Sequence, residues 1–463
     1  MKRPEKLYEG NISKKYLLFA IPLILSGLLS QSYNVINSMM IGKFIGSEAF
    51  AATAVTAQLL EFINSIFFGY LTGIGIYVSV LFGKGAYEKM FNVIKINFLF
   101  TSVLALLVTF SCNAFCAQIL DALNVNNEIY KNAEMYFKTY ACSYIFLQFN
   151  WGFVYISNGM GVTKLPLAAS FISGVINVGL NYLFLSVFDK GIGFSALATL
   201  ISTGVVTVLY FVIYIKMFKN MGIKLKGLSL NKEDLKQSFN YGTPSLFQQM
   251  TMCSCTALVS PLANTCSTAA ISGYSIANKS QTLIQTIYQN SSKANTNFIA
   301  QSMGAKKIDK IKQGIKVGTT QGLIFFGVTL ILFVVFAKPF TALFLDPVQD
   351  AESFKTSVNI IRFLLPFMFF NVFNNLFHGI FRAVGSGTLM FISTLVYAVS
   401  FVVYAYLLFE VLPTEYKIYG VHLSLAAAYI TEFAFTLIIF VTGKWKSPEY
   451  KELETHALGS CDL

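Results

Sequence analysis

Twelve apolar stretches of membrane-spanning length follow one another along the chain, and this feature leaves few architectures open. The stretches begin near residues 16, 52, 93, 137, 166, 193, 240, 269, 317, 358, 388 and 420. A helix needs roughly 20 mostly apolar residues to cross the hydrocarbon core of a bilayer. Because the stretches are near-continuous apolar runs and not short alternating segments, they predict helices and not barrel strands. We therefore expect an all-α membrane protein with twelve transmembrane helices.

The distribution of charge predicts how these helices are oriented. With 55% hydrophobic and 12% charged residues, the chain is too apolar for a soluble globule. Its net charge of +12 would fit a nucleic-acid partner, but the 34 Lys and Arg residues divide unevenly between alternate loops. The side of the termini holds 24 of them, the other side holds 8, and 2 lie inside spans, as the positive-inside rule requires. We expect a multi-pass protein of the plasma-membrane bilayer with both termini in the cytoplasm and no nucleic-acid partner.

The two halves of the chain repeat one another. Five positions of the loop after the second stretch recur 221 residues later, and Pro22 recurs as Pro244. The five are Gly83, Glu88, Lys89, Ile94 and Lys95, which correspond to Gly304, Asp309, Lys310, Ile315 and Lys316. An even number of helices in each repeat gives two parallel copies. We predict two six-helix lobes related by an internal repeat, with a substrate path between them.

One long polar interval divides the halves. Residues 216–239 include six lysines and predict a cytoplasmic linker between an N-terminal lobe, 1–215, and a C-terminal lobe, 240–443. The charged residues after Lys444 predict a disordered cytoplasmic tail over 444–463. The seven cysteines, odd in number and mostly inside apolar stretches, predict no disulfide framework.

A few charged or titratable residues inside the predicted spans are candidates for function. Glu61 and Glu432 are the two acids there. A carboxylate in the hydrocarbon region costs about 3 kcal/mol on insertion scales, so a cavity or gating role competes with a structural ion pair. Lys279 and Lys293 either line the same cavity or extend to the membrane surface. His378 has no second ligand at zinc spacing, so it is either a hydrogen-bonded interior residue or a proton switch.

Several motifs occur in a characteristic order. They are Pro22 in the first span, the run Asn-Ser-Met-Met-Ile-Gly-Lys-Phe-Ile-Gly over 37–46, the loops at Gly83 and at Gly304, and the pair Asn177 and Asn181. Together they resemble the multidrug and toxic compound extrusion (MATE) transporters, and the likeness covers nearly the whole chain. The resemblance implies two six-helix lobes around a V-shaped cavity. It also implies export of small amphipathic organic compounds in exchange for H⁺ or Na⁺, without a cofactor; we expect a monomer.

The chain departs from this family at positions that are often acidic. Asn37 and Asn181 stand where the family often has Asp, and many sodium-type members have Asp near Asn371. Asn cannot exchange a proton, and it coordinates Na⁺ only through a neutral carbonyl oxygen. These three asparagines are candidates for the ion and substrate cavity, although interhelical hydrogen bonds of about 0.6 kcal/mol each would also explain them. Among the interior candidates, the two acids and the histidine can titrate.

Three other kinds of membrane protein compete with a MATE-like antiporter. A lipid-linked saccharide flippase has related architecture, but a wider basic cavity and extra helices are usual there. A major-facilitator transporter also has six plus six helices, but the loop after its second span favours an Asp and clustered Arg, which residues 83–95 lack. A non-transporting scaffold is favoured only by the missing acids. The chain has no phosphate-binding loop, nucleophilic triad or metal cluster, so we expect neither an enzyme nor an ATP-driven pump.

Overall fold

The structure, a computed structural model, describes residues 6–123, 125–223, 227, 229 and 231–459, and this part of the chain consists of helices joined by turns. Twelve helical segments are long enough to cross a bilayer and are numbered here as spans 1 to 12. Spans 1 to 6 are Ile12–Phe44, Ser47–Lys84, Tyr87–Ala114, Asn127–Cys142 with Tyr144–Gly159, Lys164–Asn181 with Tyr182–Val187, and Gly193–Asn220. Spans 7 to 9 are Lys232–Asn264, Thr268–Gly304 and Ile308–Val335. Span 10 runs from Ala351–Asn359 through Ile360–Leu364 and Leu365–Phe367 to Met368–Ala383, and spans 11 and 12 are Gly387–Val411 and Lys417–Val441.

Nine of the described helices are long and apolar enough to span a membrane by length and composition. The other three segments are spans 4, 7 and 8. Span 4 is interrupted at Ser143, and spans 7 and 8 carry many polar side chains that protein contacts must satisfy. The predicted all-α, twelve-helix membrane fold with two related six-helix lobes is confirmed.

The internal repeat extends to the backbone. Spans 3 and 9 are each 28 residues long and begin 221 residues apart, at Tyr87 and Ile308. The turns before them contain the left-handed residues Gly85 (φ 77°) and Lys306 (φ 57°), again 221 residues apart. Short helices follow both spans, Cys116–Ala122 and Ala337–Ala342. The repeat therefore reproduces turns and not only hydropathy.

Contacts divide the chain into two compact units. Unit 1 is built mainly of Leu25–Leu246, and unit 2 of Leu7–Ile24 with the described part of Phe247–Leu463. Spans 1 and 7 each pass from one unit to the other shortly after a proline, Pro22 and Pro244. Proline removes a backbone hydrogen bond from a helix interior, so each helix is weakened close to where it changes unit.

The first half of span 1 belongs to unit 2 through specific contacts. The buried phenol of Tyr16 donates to the carbonyl oxygen of Ser291 over 2.6 Å, and Gln321 donates to the hydroxyl of Ser13 over 2.7 Å. These bonds tie the segment to spans 8 and 9. Because Leu7–Ile24 lies in unit 2, the unit boundary depends on which helices pack together as well as on the position of the linker.

The linker is shorter in the structure than the polar interval in the sequence. Span 6 remains helical to Asn220 and span 7 begins at Lys232. Linker residues 224–226, 228 and 230 lie outside the described residues. Asp234, in the first turn of span 7, is only 3% exposed; its carboxylate lies 3.2 Å from Nζ of Lys89 and accepts from Asn92 over 3.1 Å. These contacts attach the end of the linker to the start of span 3 inside unit 1.

Replacing Asp234 with Ala should lower the free energy of unfolding by about 1–3 kcal/mol, because Lys89 and Asn92 lose a buried acceptor. The measurement is the thermal unfolding midpoint of the purified protein. Asp309→Ala is the matched control, since Asp309 is an exposed acid in the first turn of span 9. Equal midpoints for the two variants would show that the Asp234 contacts do not stabilise unit 1.

The expectation of a disordered tail is wrong for residues 444–459. A helix, Pro448–Gly459, follows span 12, while residues 460–463 lie outside the described part. Trp445 is 4% exposed and stacks on Phe440 of span 12 with ring centroids 5.3 Å apart. Burial also raises the pKa of Tyr450 to about 12, so its phenol stays protonated. The aromatic contacts hold a segment whose charge alone favoured disorder.

Candidate ion and substrate site

Span 10 carries a row of polar side chains along one face. Asn371, Asn374, His378 and Arg382 follow at spacings of three and four residues, which place them on the same side of a helix. The first three are buried, with exposed fractions of 4%, 0% and 7%. Such a face needs partners from neighbouring helices, because an unsatisfied polar group in the membrane interior costs several kcal/mol.

Close packing brings this face against span 8. Gly379 has no side chain, and a Cβ atom at this position would overlap the side chain of Thr296. Ser292, one turn before Thr296, donates to the backbone oxygen of Asn375 over 2.8 Å. The small residue therefore allows the two helices to approach closely beside His378.

Glu432 and His378 form a buried pair inside unit 2. Nε2 of His378 lies 3.2 Å from Oε1 of Glu432, at ion-pair distance but off the line of a well-aligned hydrogen bond. Glu432 is 4% exposed, and its Oε2 accepts from Nδ2 of Asn374 over 2.8 Å. Asn374 also donates to the backbone oxygen of Tyr429 over 3.1 Å, and its Oδ1 accepts from Thr436 over 3.2 Å. A proton-binding acid and a proton-binding base thus meet in a shielded polar cluster.

The other side of the histidine contacts span 7. Nε2 of Gln248 lies 3.1 Å from Nδ1 of His378, and Oε1 of Gln248 accepts from Nη2 of Arg382 over 2.5 Å. Arg382 also directs its Nε towards the sulfur of Met390, 3.0 Å away. A continuous chain of contacts therefore runs from Arg382 through Gln248 and His378 to Glu432.

Asn371 belongs to a neighbouring polar group. Its Nδ2 donates to the phenol oxygen of Tyr288 over 2.8 Å, and its Oδ1 accepts from Asn375 over 2.8 Å. Both partners lie in unit 2, on span 8 and on span 10 itself. The contacts satisfy much of the hydrogen-bonding capacity of the Asn371 amide.

Asn37 and Asn181 meet in unit 1 through a third asparagine. Asn37 donates to Oδ1 of Asn177 over 2.5 Å, and Asn181 donates to the same oxygen over 3.1 Å. Oδ1 of Asn37 lies 3.4 Å from Nδ2 of Asn181. Asn177 in turn donates to Thr199 of span 6 over 3.2 Å. The cluster joins spans 1, 5 and 6 and contains no titratable side chain, since amides and hydroxyls exchange no proton at neutral pH.

The remaining candidates are less enclosed. Glu61 is exposed on span 2, and the exposed Lys279 places its ammonium 4.6 Å from the ring centroid of Phe344. Lys293 is half-buried on span 8 and lies 3.5 Å from Oδ1 of Asn290. In the described part of the chain, no group of three His, Cys, Asp or Glu side chains is arranged to hold a metal ion.

A family model called MatE matches the chain twice, over residues 22–183 and 244–407. The two matched ranges cover well over half of the chain and begin at Pro22 and Pro244, the positions that mark the internal repeat. The chain belongs to the MatE family. The resemblance to MATE transporters is confirmed, and so is the assignment to a family of multi-pass membrane proteins that export drugs.

This MatE chain is similar to curated proteins that are named for multidrug resistance. The chain is 27% identical over 351 residues to the probable multidrug resistance protein YoeA of Bacillus subtilis, with 74% of this chain and 75% of the relative covered. It is 23% identical to the probable multidrug resistance protein YpnP of the same organism over 95% of this chain and 97% of the relative. The family is one of transporters that take small organic substrates within a membrane.

Solved structures agree in fold. An outward-facing multidrug resistance MATE transporter of the MOP superfamily aligns with a TM-score of 0.87 over 98% of this chain and 100% of the other, at 18% identity. A MOP-superfamily transporter from Pyrococcus furiosus, described as having a binding pocket of reverse polarity, aligns at 0.86 over 95% and 98%, also at 18% identity. At this identity the likeness establishes the fold alone.

Sequence reasoning about this MatE chain missed Gln248 as a site residue. Its side chain is one of several polar ones in span 7, and no spacing in the sequence links it to Arg382, 134 positions away. Asn374 had a stronger signal, because it lies one turn before His378 on the same face. Asn177 likewise lies one turn before Asn181 and contacts both other members of its cluster.

Proposed function

We propose that this MatE protein is a secondary active antiporter that exports amphipathic organic compounds in exchange for protons. The buried contact between Glu432 and His378 carries the proposal, because it gives unit 2 an enclosed group that can take up and release a proton. A two-state carrier needs such a group to bind the ion in one state and lose it in the other. The gradient supplies the energy, so the transporter needs neither a cofactor nor a catalytic residue.

The surroundings of Glu432 favour a proton over Na⁺ as the coupling ion. Hard cations take oxygen ligands. This carboxylate contacts two side-chain nitrogen atoms, Nδ2 of Asn374 and Nε2 of His378. The amide nitrogen always carries hydrogens, and Nε2 carries one when Nδ1 of the neutral ring is unprotonated. A cation at either oxygen would face these N–H groups, whereas a proton needs no oxygen cage. The asparagine cluster of unit 1 offers neither a negative charge nor a titratable group.

The test is transport by the purified protein in liposomes, with pH and Na⁺ gradients imposed separately and cationic and anionic dyes as substrates. We expect dye movement that follows the pH gradient and stops when a protonophore dissipates it. Transport that follows only the Na⁺ gradient would contradict proton coupling, and no dye movement under either gradient would contradict export. Flipping of a labelled lipid-linked saccharide without dye transport would favour the flippase.

We further propose that the protein is a monomer in the plasma membrane. The asymmetry of the basic residues supports the further proposal that both termini lie in the cytoplasm. In a cysteine-free variant, a single cysteine beside Lys310 should resist an impermeant thiol reagent added outside intact cells. A cysteine beside Asp350, in the loop before span 10, should react. Permeabilised cells are the control, because both sites should then react. Reaction of the Lys310 site in intact cells would overturn this orientation.

A further inference from the structure

We infer that Gln248 and Arg382 are positioning residues that hold His378 as the neutral tautomer with its proton on Nε2, facing Glu432. Loading a proton onto Glu432 would then reverse the donor and acceptor roles along these contacts and break the contact between Gln248 and Arg382. The inference rests on the proposed function only in assigning this proton to transport. The tautomer itself follows from the contacts of the four side chains.

Arg382 fixes the orientation of the Gln248 amide. A guanidinium group has only donors, so the atom 2.5 Å from Nη2 of Arg382 must be the oxygen of Gln248. The amide nitrogen of Gln248 then faces the imidazole ring. Rotating the amide by half a turn would place two donors against each other at this close distance.

Gln248 in turn fixes the tautomer of His378. An amide nitrogen can only donate, so Nδ1 of the ring, 3.1 Å away, must accept. In a neutral imidazole the proton then lies on Nε2, the nitrogen nearest the carboxylate of Glu432. A doubly protonated ring would set an N–H group of His378 against the NH₂ group of Gln248.

Glu432 therefore has an N–H group near each carboxylate oxygen, hydrogen-bonded at Oε2 and at ion-pair distance but off the hydrogen-bond line at Oε1. Asn374 donates to Oε2, and its orientation is fixed because the backbone oxygen of Tyr429, its other partner, can only accept. The Nε2–H group of His378 faces Oε1. Both contacts suit an ionised carboxylate and oppose a proton placed between the paired atoms.

A proton that binds Oε1 must displace this arrangement. The step balances if the incoming proton binds Nδ1 of His378 while the Nε2 proton passes to Oε1 of Glu432, which leaves Nε2 as the acceptor of the new O–H group. The new Nδ1–H group needs an acceptor, which Gln248 provides only by rotating its oxygen towards the ring. That rotation breaks the contact between Oε1 of Gln248 and Nη2 of Arg382. Proton uptake at one end of the chain thus changes the contacts of the guanidinium at the other end.

Other titratable groups near this chain are few within the described residues. Three tyrosines lie on span 12 or on helices that pack against it: Tyr288 on span 8, Tyr397 on span 11 and Tyr429 on span 12. Cys255 of span 7 belongs to the same apolar cluster as Tyr397 and Tyr429, and Lys293 lies on span 8. Among the four side chains in this chain of contacts, the carboxyl group and the imidazole are the ones that can exchange a proton.

Nitrogen NMR of the ¹⁵N-histidine-labelled full-length protein tests the tautomer directly, since the chain has three histidines. The His378 signals are identified by their loss in His378→Asn. At neutral pH we expect Nδ1 of His378 at the shift of an unprotonated nitrogen and Nε2 at that of a protonated one. A wild-type ring with its proton on Nδ1, or with both nitrogens protonated, would overturn the inference.

Variants of the positioning residues sharpen the test. In Arg382→Met the amide of Gln248 can rotate, so we expect a mixture of both tautomers. In Gln248→Glu a carboxylate faces Nδ1, so both nitrogens should move to the imidazolium position. Gln313→Met, at an exposed site on span 9, is the control and should leave the wild-type signals unchanged. Wild-type signals in both Arg382→Met and Gln248→Glu would show that these residues do not set the tautomer.

The outcome is separable from that of the transport assay. If the expected tautomer is found without proton-driven export, the positioning role of Gln248 and Arg382 is supported and the proposed antiport is contradicted. If proton-driven export is found with the opposite tautomer, the positioning role is contradicted and the antiport is supported.

Discussion

Replacing Glu432 with Gln should abolish export driven by a pH gradient and leave substrate binding measurable. Gln has nearly the same shape and can still accept from Asn374, but it cannot load a proton. Export rates in liposomes under a fixed pH gradient, together with dye binding by fluorescence, measure the two effects separately. Because Glu432 is the buried acid among the candidate site residues and contacts His378, we expect this loss to be the largest among single substitutions of those residues.

Two further substitutions complete the experiment. Glu410→Gln removes an exposed acid near the end of span 11 and should leave export unchanged. Asn37→Ala should only weaken export, because it removes hydrogen bonds from a cluster that cannot titrate. Glu61→Gln tests the second acid. If export is lost in Glu61→Gln and kept in Glu432→Gln, the residue that carries the transported proton is Glu61 of span 2. Wild-type rates in both Gln variants would show that neither carboxylate carries the transported proton.

Replacing Asn374 with Leu should lower the free energy of unfolding of the protein by about 1–3 kcal/mol, the cost of leaving buried acceptors without their donor. The variant deprives the carboxylate of Glu432 and the backbone oxygen of Tyr429 of the same donor. Thermal unfolding in detergent, followed by circular dichroism, measures the change. Asn264→Leu, at the exposed end of span 7, is the matched control and should unfold at nearly the wild-type temperature.

A double variant separates the charge from the packing. Adding Glu432→Leu to Asn374→Leu removes the acceptor that lost its Asn374 donor, so part of the lost stability should return. Additive losses would show that Asn374 stabilises unit 2 by filling space and not by holding the carboxylate.

Properties that depend on neighbouring residues in the sequence could be predicted from the sequence. Twelve helices follow from apolar length, since each segment must satisfy its own backbone hydrogen bonds in lipid. The repeat follows from matching residues, and the structure reproduces it at the same spacing in spans 3 and 9. The titratable residues inside the spans could likewise be predicted from the sequence, because each is recognised by its own side chain and by the apolar residues on either side of it.

Which candidates meet was decided by tertiary packing. No partner for Glu432 could be predicted from the sequence, yet Nε2 of His378 lies 3.2 Å from its carboxylate. Gln248 and Arg382 are 134 residues apart in the chain, but Oε1 of the first lies 2.5 Å from Nη2 of the second. The tail after Lys444 looked too charged to fold, but Trp445 and its stacking on Phe440 anchor a helix there. Helix rotation and contact distance depend on how small and large side chains of distant segments fit together, as Gly379 fits beside Thr296. Hydropathy along one segment contains no information about that fit, so the polar cluster around Glu432 could be recognised only in the folded protein.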